Sequence, residues 1–112
     1  MKGNLGKSSD SDWYSFTLSK AGYVYVNFQH PQLEAVVGCW RIALHDTEAK
    51  ELYSLPSYGD VKSTSSVKMG LPAGTYYVKI SSGSSWKTSI YTVKVNYTET
   101  WMALFILFLS TL

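Results

Sequence analysis

This chain has little of several things. It holds one cysteine, Cys39, in 112 residues. That excludes an internal disulfide and a zinc cage built on several cysteines. Cys39 stands beside Trp40 in an apolar stretch with no evident base or helix start nearby, so it reads as a small core residue. Charged residues make up 16% and hydrophobic residues 46%, a balance that excludes a disordered chain. Before residue 100 no segment carries the i, i+3, i+4, i+7 apolar stripe of an amphipathic helix. No apolar run reaches the ~20 residues of a membrane-spanning helix. The opening Met1–Gly6 lacks the apolar core of a signal peptide, as an excised module or a gene fragment would. The net charge is +2 and the lysines are scattered along the sequence. A nucleic-acid partner would call for lysines gathered on one face, so none is expected.

Aromatic residues are abundant, with nine tyrosines and four tryptophans. They sit in segments that alternate with the period of a half-buried strand. Tyr14, Phe16 and Leu18 face one way, and Ser15 and Thr17 the other. Val24, Val26 and Phe28 point inward, leaving Tyr23, Tyr25 and Asn27 outward. In residues 39–46, Trp40, Ile42 and Leu44 are inward, with Arg41, Ala43 and His45 outward. Residues 50–55 read as a short strand, 56–60 as a loop, and 61–69 as a serine-rich edge strand. Leu71-Pro72-Ala73-Gly74 is a tight turn, in which proline fixes φ and glycine is free to take a positive value. The strand after it puts Tyr76, Val78 and Ile80 inward, with Tyr77 and Lys79 outward. A loop over 81–85 precedes a last strand, 89–97, with Tyr91, Val93, Val95 and Tyr97 on one side. Many short strands with frequent turns predict an all-β sandwich or barrel in one domain over residues 1–100.

The tail, 101–112, is apolar and too short to span a bilayer. Three readings stand open: a truncated membrane anchor, a gene-boundary artefact, or a strand that docks on the domain. A membrane is a partner only under the first.

The segment Ser9-Asp10-Ser11-Asp12-Trp13-Tyr14-Ser15-Phe16 runs an acidic turn into a strand. Asp10 and Asp12, two residues apart, are candidate ligands for calcium, a hard cation that takes carboxylate oxygens. The alternative is a solvated turn. Tyr23, Tyr25 and Tyr77 are candidates for an exposed platform that stacks on sugar rings or packs on a fibrous protein; otherwise they are cross-strand pairs that stabilise a sheet. Trp86, after a Gly-Ser loop, is a candidate ligand contact at a loop tip, or a cover for the open end of the sandwich. Trp13 is a further tryptophan for the surface. His30 and His45 have metal-ligand spacing neither to each other nor to Cys39, and no nucleophile motif accompanies them. No catalytic residue is assigned, and an enzyme is not expected.

The order of the pieces carries a resemblance. Gly3-Asn4-Leu5, Asp10-Ser11-Asp12-Trp13-Tyr14-Ser15-Phe16, Trp40-Arg41-Ile42-Ala43-Leu44-His45-Asp46, Leu71-Pro72-Ala73-Gly74-Thr75-Tyr76-Tyr77-Val78 and Tyr91-Thr92-Val93-Lys94-Val95 together resemble the bacterial pre-peptidase C-terminal domain. The collagen-binding domains of clostridial collagenases are its relatives. The resemblance implies a jelly-roll-like antiparallel β-sandwich of about seven to eight strands. It implies a non-catalytic accessory domain of a secreted or cell-surface bacterial protein. The implied partners are an extracellular polymer, fibrous protein or polysaccharide, or neighbouring domains of a parent enzyme. Calcium is the only cofactor implied. Two departures stand out. The chain starts after the acidic, asparagine-containing segment and strand that family members carry upstream, so Asp10 and Asp12 match half of a calcium site. The tail lies beyond the family's usual end near Tyr97. Two other functions compete: a spacer or maturation module with no ligand, and a carbohydrate-binding module of different ancestry. Outward tyrosines gathered on one sheet favour binding, and their dispersal over both favours the spacer.

Overall fold

A computed structural model describes residues 1–34 and 36–99. The fate expected for the 101–112 tail lies outside the described residues. Among the described residues nine strands form two antiparallel sheets: β1 (Lys2–Gly3), β2 (Ser11–Leu18), β3 (Gly22–Gln29), β4 (Gly38–His45), β5 (Glu51–Tyr58), β6 (Ser63–Ser65), β7 (Met69–Leu71), β8 (Gly74–Ser82) and β9 (Tyr91–Glu99). One sheet, here sheet A, has the order β1-β9-β3-β6, with β7 also paired to β3. Sheet B has the order β2-β8-β4-β5. The chain therefore crosses between layers repeatedly, and an all-β sandwich results. Among the described residues no helix is long and apolar enough to cross a membrane.

The core is made by the inward rows of the alternating segments. Val24, Val26 and Phe28 from β3 and Tyr91 and Val93 from β9 meet Trp40, Ile42 and Leu44 from β4 and Tyr76, Val78 and Ile80 from β8. Phe28 links the layers through its ring. It stacks on Tyr91 within sheet A at 5.1 Å and tilts against Trp40 of sheet B at 5.5 Å. Leu5, in the loop before β2, is fully buried in the same cluster. Each such side chain contributes about 2 kcal/mol through loss of apolar surface to water.

The 71–74 turn has the predicted chemistry. Gly74 takes φ +152°, and a Cβ there would meet the Thr47 methyl at 2.9 Å. The Tyr76 hydroxyl donates back to the Pro72 carbonyl at 2.6 Å and pins the turn.

Four expectations are corrected. Ala43 and His45, read as outward, are buried at 1% and 9% exposure. The strand that carries them is flanked by β8 and β5, and the Trp13 ring lies over the His45 ring at 4.9 Å. Residues 56–58, read as loop, continue β5, with Pro56 opposite Arg41. β5 is an edge strand, where a proline's missing N–H disrupts no second ladder. The single edge strand read over 61–69 is two, β6 and β7, each paired to a different half of β3. Between them the Ser66 hydroxyl accepts the Val26 N–H at 2.8 Å and takes the place of a ladder carbonyl. Finally, β8 runs on to Ser82, past the start of the predicted 81–85 loop, because both β2 and β4 pair with its end.

Candidate functional site

The acidic turn resolves into hydrogen bonds made by the chain itself. Asp10 accepts the Lys7 N–H at 3.0 Å and closes a turn in which its own N–H reaches the Lys7 carbonyl. Asp12 sits in β2 on the same row as Tyr14, Phe16 and Leu18, the row that turns inward. Its Oδ2 accepts the Tyr91 hydroxyl at 2.5 Å. Tyr91 has one hydroxyl proton and gives it to the carboxylate, so the Tyr14 hydroxyl donates to the Tyr91 oxygen, 2.8 Å away. Burial first, and then the hydrogen bonds with Asp12 and Tyr14, push the Tyr91 phenol far above its ordinary range. Burial, then the Asp46 charge, also raises the Tyr76 phenol. Gly3 packs directly on this triad: a Cβ there would fall 2.6 Å from the Tyr14 hydroxyl oxygen and 2.7 Å from that of Tyr91. Among the described residues no three His, Cys, Asp or Glu side chains gather where a metal could sit.

Trp86 is 39% exposed, and its Nε1 donates to the Leu5 carbonyl at 3.1 Å. It fastens the segment before β2 and stands apart from the tyrosines. Each histidine ring packs on a tryptophan, His30 on Trp40 at 4.4 Å and His45 beneath Trp13. His30 has backbone carbonyls at both ring nitrogens, and His45 Nδ1 faces the Ala49 carbonyl at 2.9 Å. Both therefore serve as struts.

The candidate tyrosines divide. Tyr23 and Tyr25 lie on the outer face of sheet A, opposite Thr98 and Asn96 of β9. With Lys68 at the side they border an open hollow of about 540 Å³. Tyr77 lies on the outer face of sheet B, across from Ser15 and His45. There it shares a shallow hollow of about 360 Å³ with Trp13 and Ala49. Lys79 holds its ammonium 5.4 Å from the Trp13 ring centre. Strand alternation alone identified the three tyrosines as outward. The assignment of Tyr77 to a different face from Tyr23 and Tyr25 required the sheet pairings.

This framework has a counterpart among solved structures. The crystal structure of the pre-peptidase C-terminal domain of a collagenase from Bacillus anthracis superposes with a TM-score of 0.62. The alignment covers 86% of each chain at 17% identity. The fold is similar to that of a pre-peptidase C-terminal domain. At this identity the likeness is one of architecture, and it agrees with the resemblance read from the sequence pieces. No family model matches the chain, and no curated protein does.

Proposed function

We propose that this chain is a non-catalytic accessory domain of a secreted or cell-surface bacterial protein, and that it holds neighbouring domains against an extracellular polymer. The observation that carries the reading is the Tyr23–Tyr25 pair on the outer face of sheet A, beside Asn96, Thr98 and Lys68. Two tyrosines on one strand offer rigid amphipathic area at low entropic cost. The amide and hydroxyl next to them supply hydrogen bonds that orient a chain lying across the sheet. Similarity of fold to a domain of a collagenase supports an accessory role and an extracellular setting. Tethering raises the local concentration of a linked domain near the polymer. Calcium is not required by this reading, since Asp10 and Asp12 each have an oxygen held by a protein donor.

The test is co-sedimentation with insoluble collagen, chitin and cellulose. Retention on at least one of them is expected, lost in Tyr23→Ser/Tyr25→Ser with the melting temperature unchanged. The second reading, a spacer with no ligand, draws on the division of the three tyrosines between opposite faces. Equal retention of the double variant would remove the tyrosine pair as the contact, and no retention at all would support the spacer instead.

A further inference from the structure

The outer face of sheet A has a second property besides its tyrosines. Its outward positions are Lys2 on β1, Thr92, Lys94, Asn96 and Thr98 on β9, Tyr23, Tyr25, Asn27 and Gln29 on β3, and Ser63 and Ser65 on β6. No aspartate or glutamate occupies any of them. Lys62 leads into β6 and Lys68 leads into β7, so both stand at the rim. Lys2, Lys62, Lys68 and Lys94 are all exposed, and none pairs with a carboxylate among the described residues. The opposite face differs. There Arg41 of sheet B is paired with Glu51 at 2.8 Å, the β4–β5 turn carries Asp46 and Glu48, and Lys79 lies over the Trp13 ring. A chain of net charge +2 thus presents one face on which every charged outward position is a lysine.

The lysines also mark out a path. The Tyr23–Tyr25 hollow has Lys68 on its border. At the other end of β3 a second hollow, of about 630 Å³, is bordered by Lys2, Lys62, Gln29 and Thr92. Asn27 and Lys94, directly opposite each other on β3 and β9, lie between the two. From Tyr23 to Gln29 the path runs about 20 Å along one strand.

We propose that this path binds a linear polyanionic polysaccharide, with tyrosines under sugar rings at one end and lysines meeting its carboxylates or sulfates along the length. The inference rests on the polymer-binding reading above and names the class of polymer. Charge complementarity carries it: an acid-free face with four unpaired lysines favours an anionic partner over a neutral one. The hydroxyls and amides between the lysines match the alternating donors and acceptors of a glycan. Duplex nucleic acid carries a charge every ~1.7 Å of axis, about a dozen over this path, against four lysines. A glycan with one acid group on each sugar or disaccharide is the closer match.

The experiment measures binding of the whole chain to immobilised polygalacturonate and heparin, with dextran as the neutral control and a thymidine oligonucleotide as competitor. Binding to the anionic glycans is expected, falling roughly tenfold or more between about 50 and about 300 mM salt as charges are screened and counterions compete. Lys2→Gln/Lys62→Gln/Lys68→Gln/Lys94→Gln should lose at least about tenfold, with an unchanged melting temperature. Lys7→Gln/Lys20→Gln/Lys50→Gln/Lys87→Gln, with the same net charge but changed off the face, should keep its affinity. Equal loss in both variants would reduce the effect to net charge and overturn the path. Salt-insensitive retention on neutral polymers that needs Tyr23 and Tyr25 would overturn the anionic ligand while sparing the polymer-binding reading. Retention on none of these would overturn the anionic ligand, and failure on collagen, chitin and cellulose as well would end the polymer-binding reading. Tighter binding of the oligonucleotide than of either glycan would replace the glycan with a nucleic acid.

Discussion

Asp12, Tyr91 and Tyr14 form a hydrogen-bonded group packed against Gly3. Asp12 is held by one strong hydrogen bond, and Gly3 leaves room for both tyrosine hydroxyls. Gly3→Ala is expected to destabilise the domain by about 1–3 kcal/mol, because the added methyl overlaps two tied hydroxyls. Chemical denaturation checks this. The Tyr91 phenol also has a pH signature. Its folded-state affinity for the proton is raised, so its contribution is fully present below the unfolded tyrosine value of about 10. Above that pH the unfolded chain releases a proton that the folded chain retains, and stability falls as pH rises. The slope for one such group is about 1.4 kcal/mol per pH unit. Melting curves between about pH 9 and about pH 11 should fall less steeply in Tyr91→Phe than in the parent. Equal slopes would remove Tyr91 as the source. The level at neutral pH is a separate matter, since Tyr91→Phe strips a half-buried carboxylate of its donor. The acidic pair was legible in the sequence as a pair of carboxylates before a strand. The partner that occupies Asp12 was not, because Tyr91 lies 79 residues away.

At the scale of elements, most strands follow from alternation, and the exceptions share a cause. Ala43 and His45 were assigned to the surface by period, yet β4 lies inside sheet B, and Trp13 covers its outer row. Pro56 reads as a breaker, yet β5 is an edge. The serine-rich stretch carried too little apolar signal to reveal that it forms two strands. Ser66 makes the break workable by supplying an acceptor to the Val26 N–H and donating to the Val67 carbonyl at 2.9 Å. Ser66→Ala leaves that buried N–H without its acceptor, at a cost of about 1–3 kcal/mol. Hydrogen exchange should show the Val26 amide losing protection. Unchanged protection there would mean that β6 and β7 had closed into one continuous strand. Ser66→Thr keeps the hydroxyl and should retain most of the protection.

For the whole molecule, the sandwich separates two surfaces of different chemistry. Sheet A offers Tyr23, Tyr25 and unpaired lysines. Sheet B offers Trp13 and Tyr77 beside Ala49, with Lys79 over the Trp13 ring and Arg41 paired with Glu51. A polymer retained by sheet A should therefore be indifferent to Tyr77→Ser, within roughly twofold, since the residue is on the far side of a core layer about 10 Å thick. Binding assays on Tyr77→Ser beside Tyr23→Ser/Tyr25→Ser check this directly. A loss in Tyr77→Ser of the size seen in the double variant would place the contact on sheet B. Thermal melts with millimolar calcium address the remaining expectation for Asp10 and Asp12. With one oxygen of each already engaged, a shift below about 1 °C is expected, and a larger one would restore calcium to the account.

The sequence by itself determined most of the strands and the inward and outward rows of the alternating ones, because alternation is local and an inward row of large apolar residues packs into the core. It also carried the turn at Pro72–Gly74. Only the tertiary structure decided which strands share a sheet. Sheet membership depends on pairings between residues tens of positions apart, such as Tyr25 with Asn96 and Ser15 with Tyr77. Those pairings collect lysines scattered along the sequence onto one acid-free face, send Tyr77 to the other, and turn Asp12 toward Tyr91.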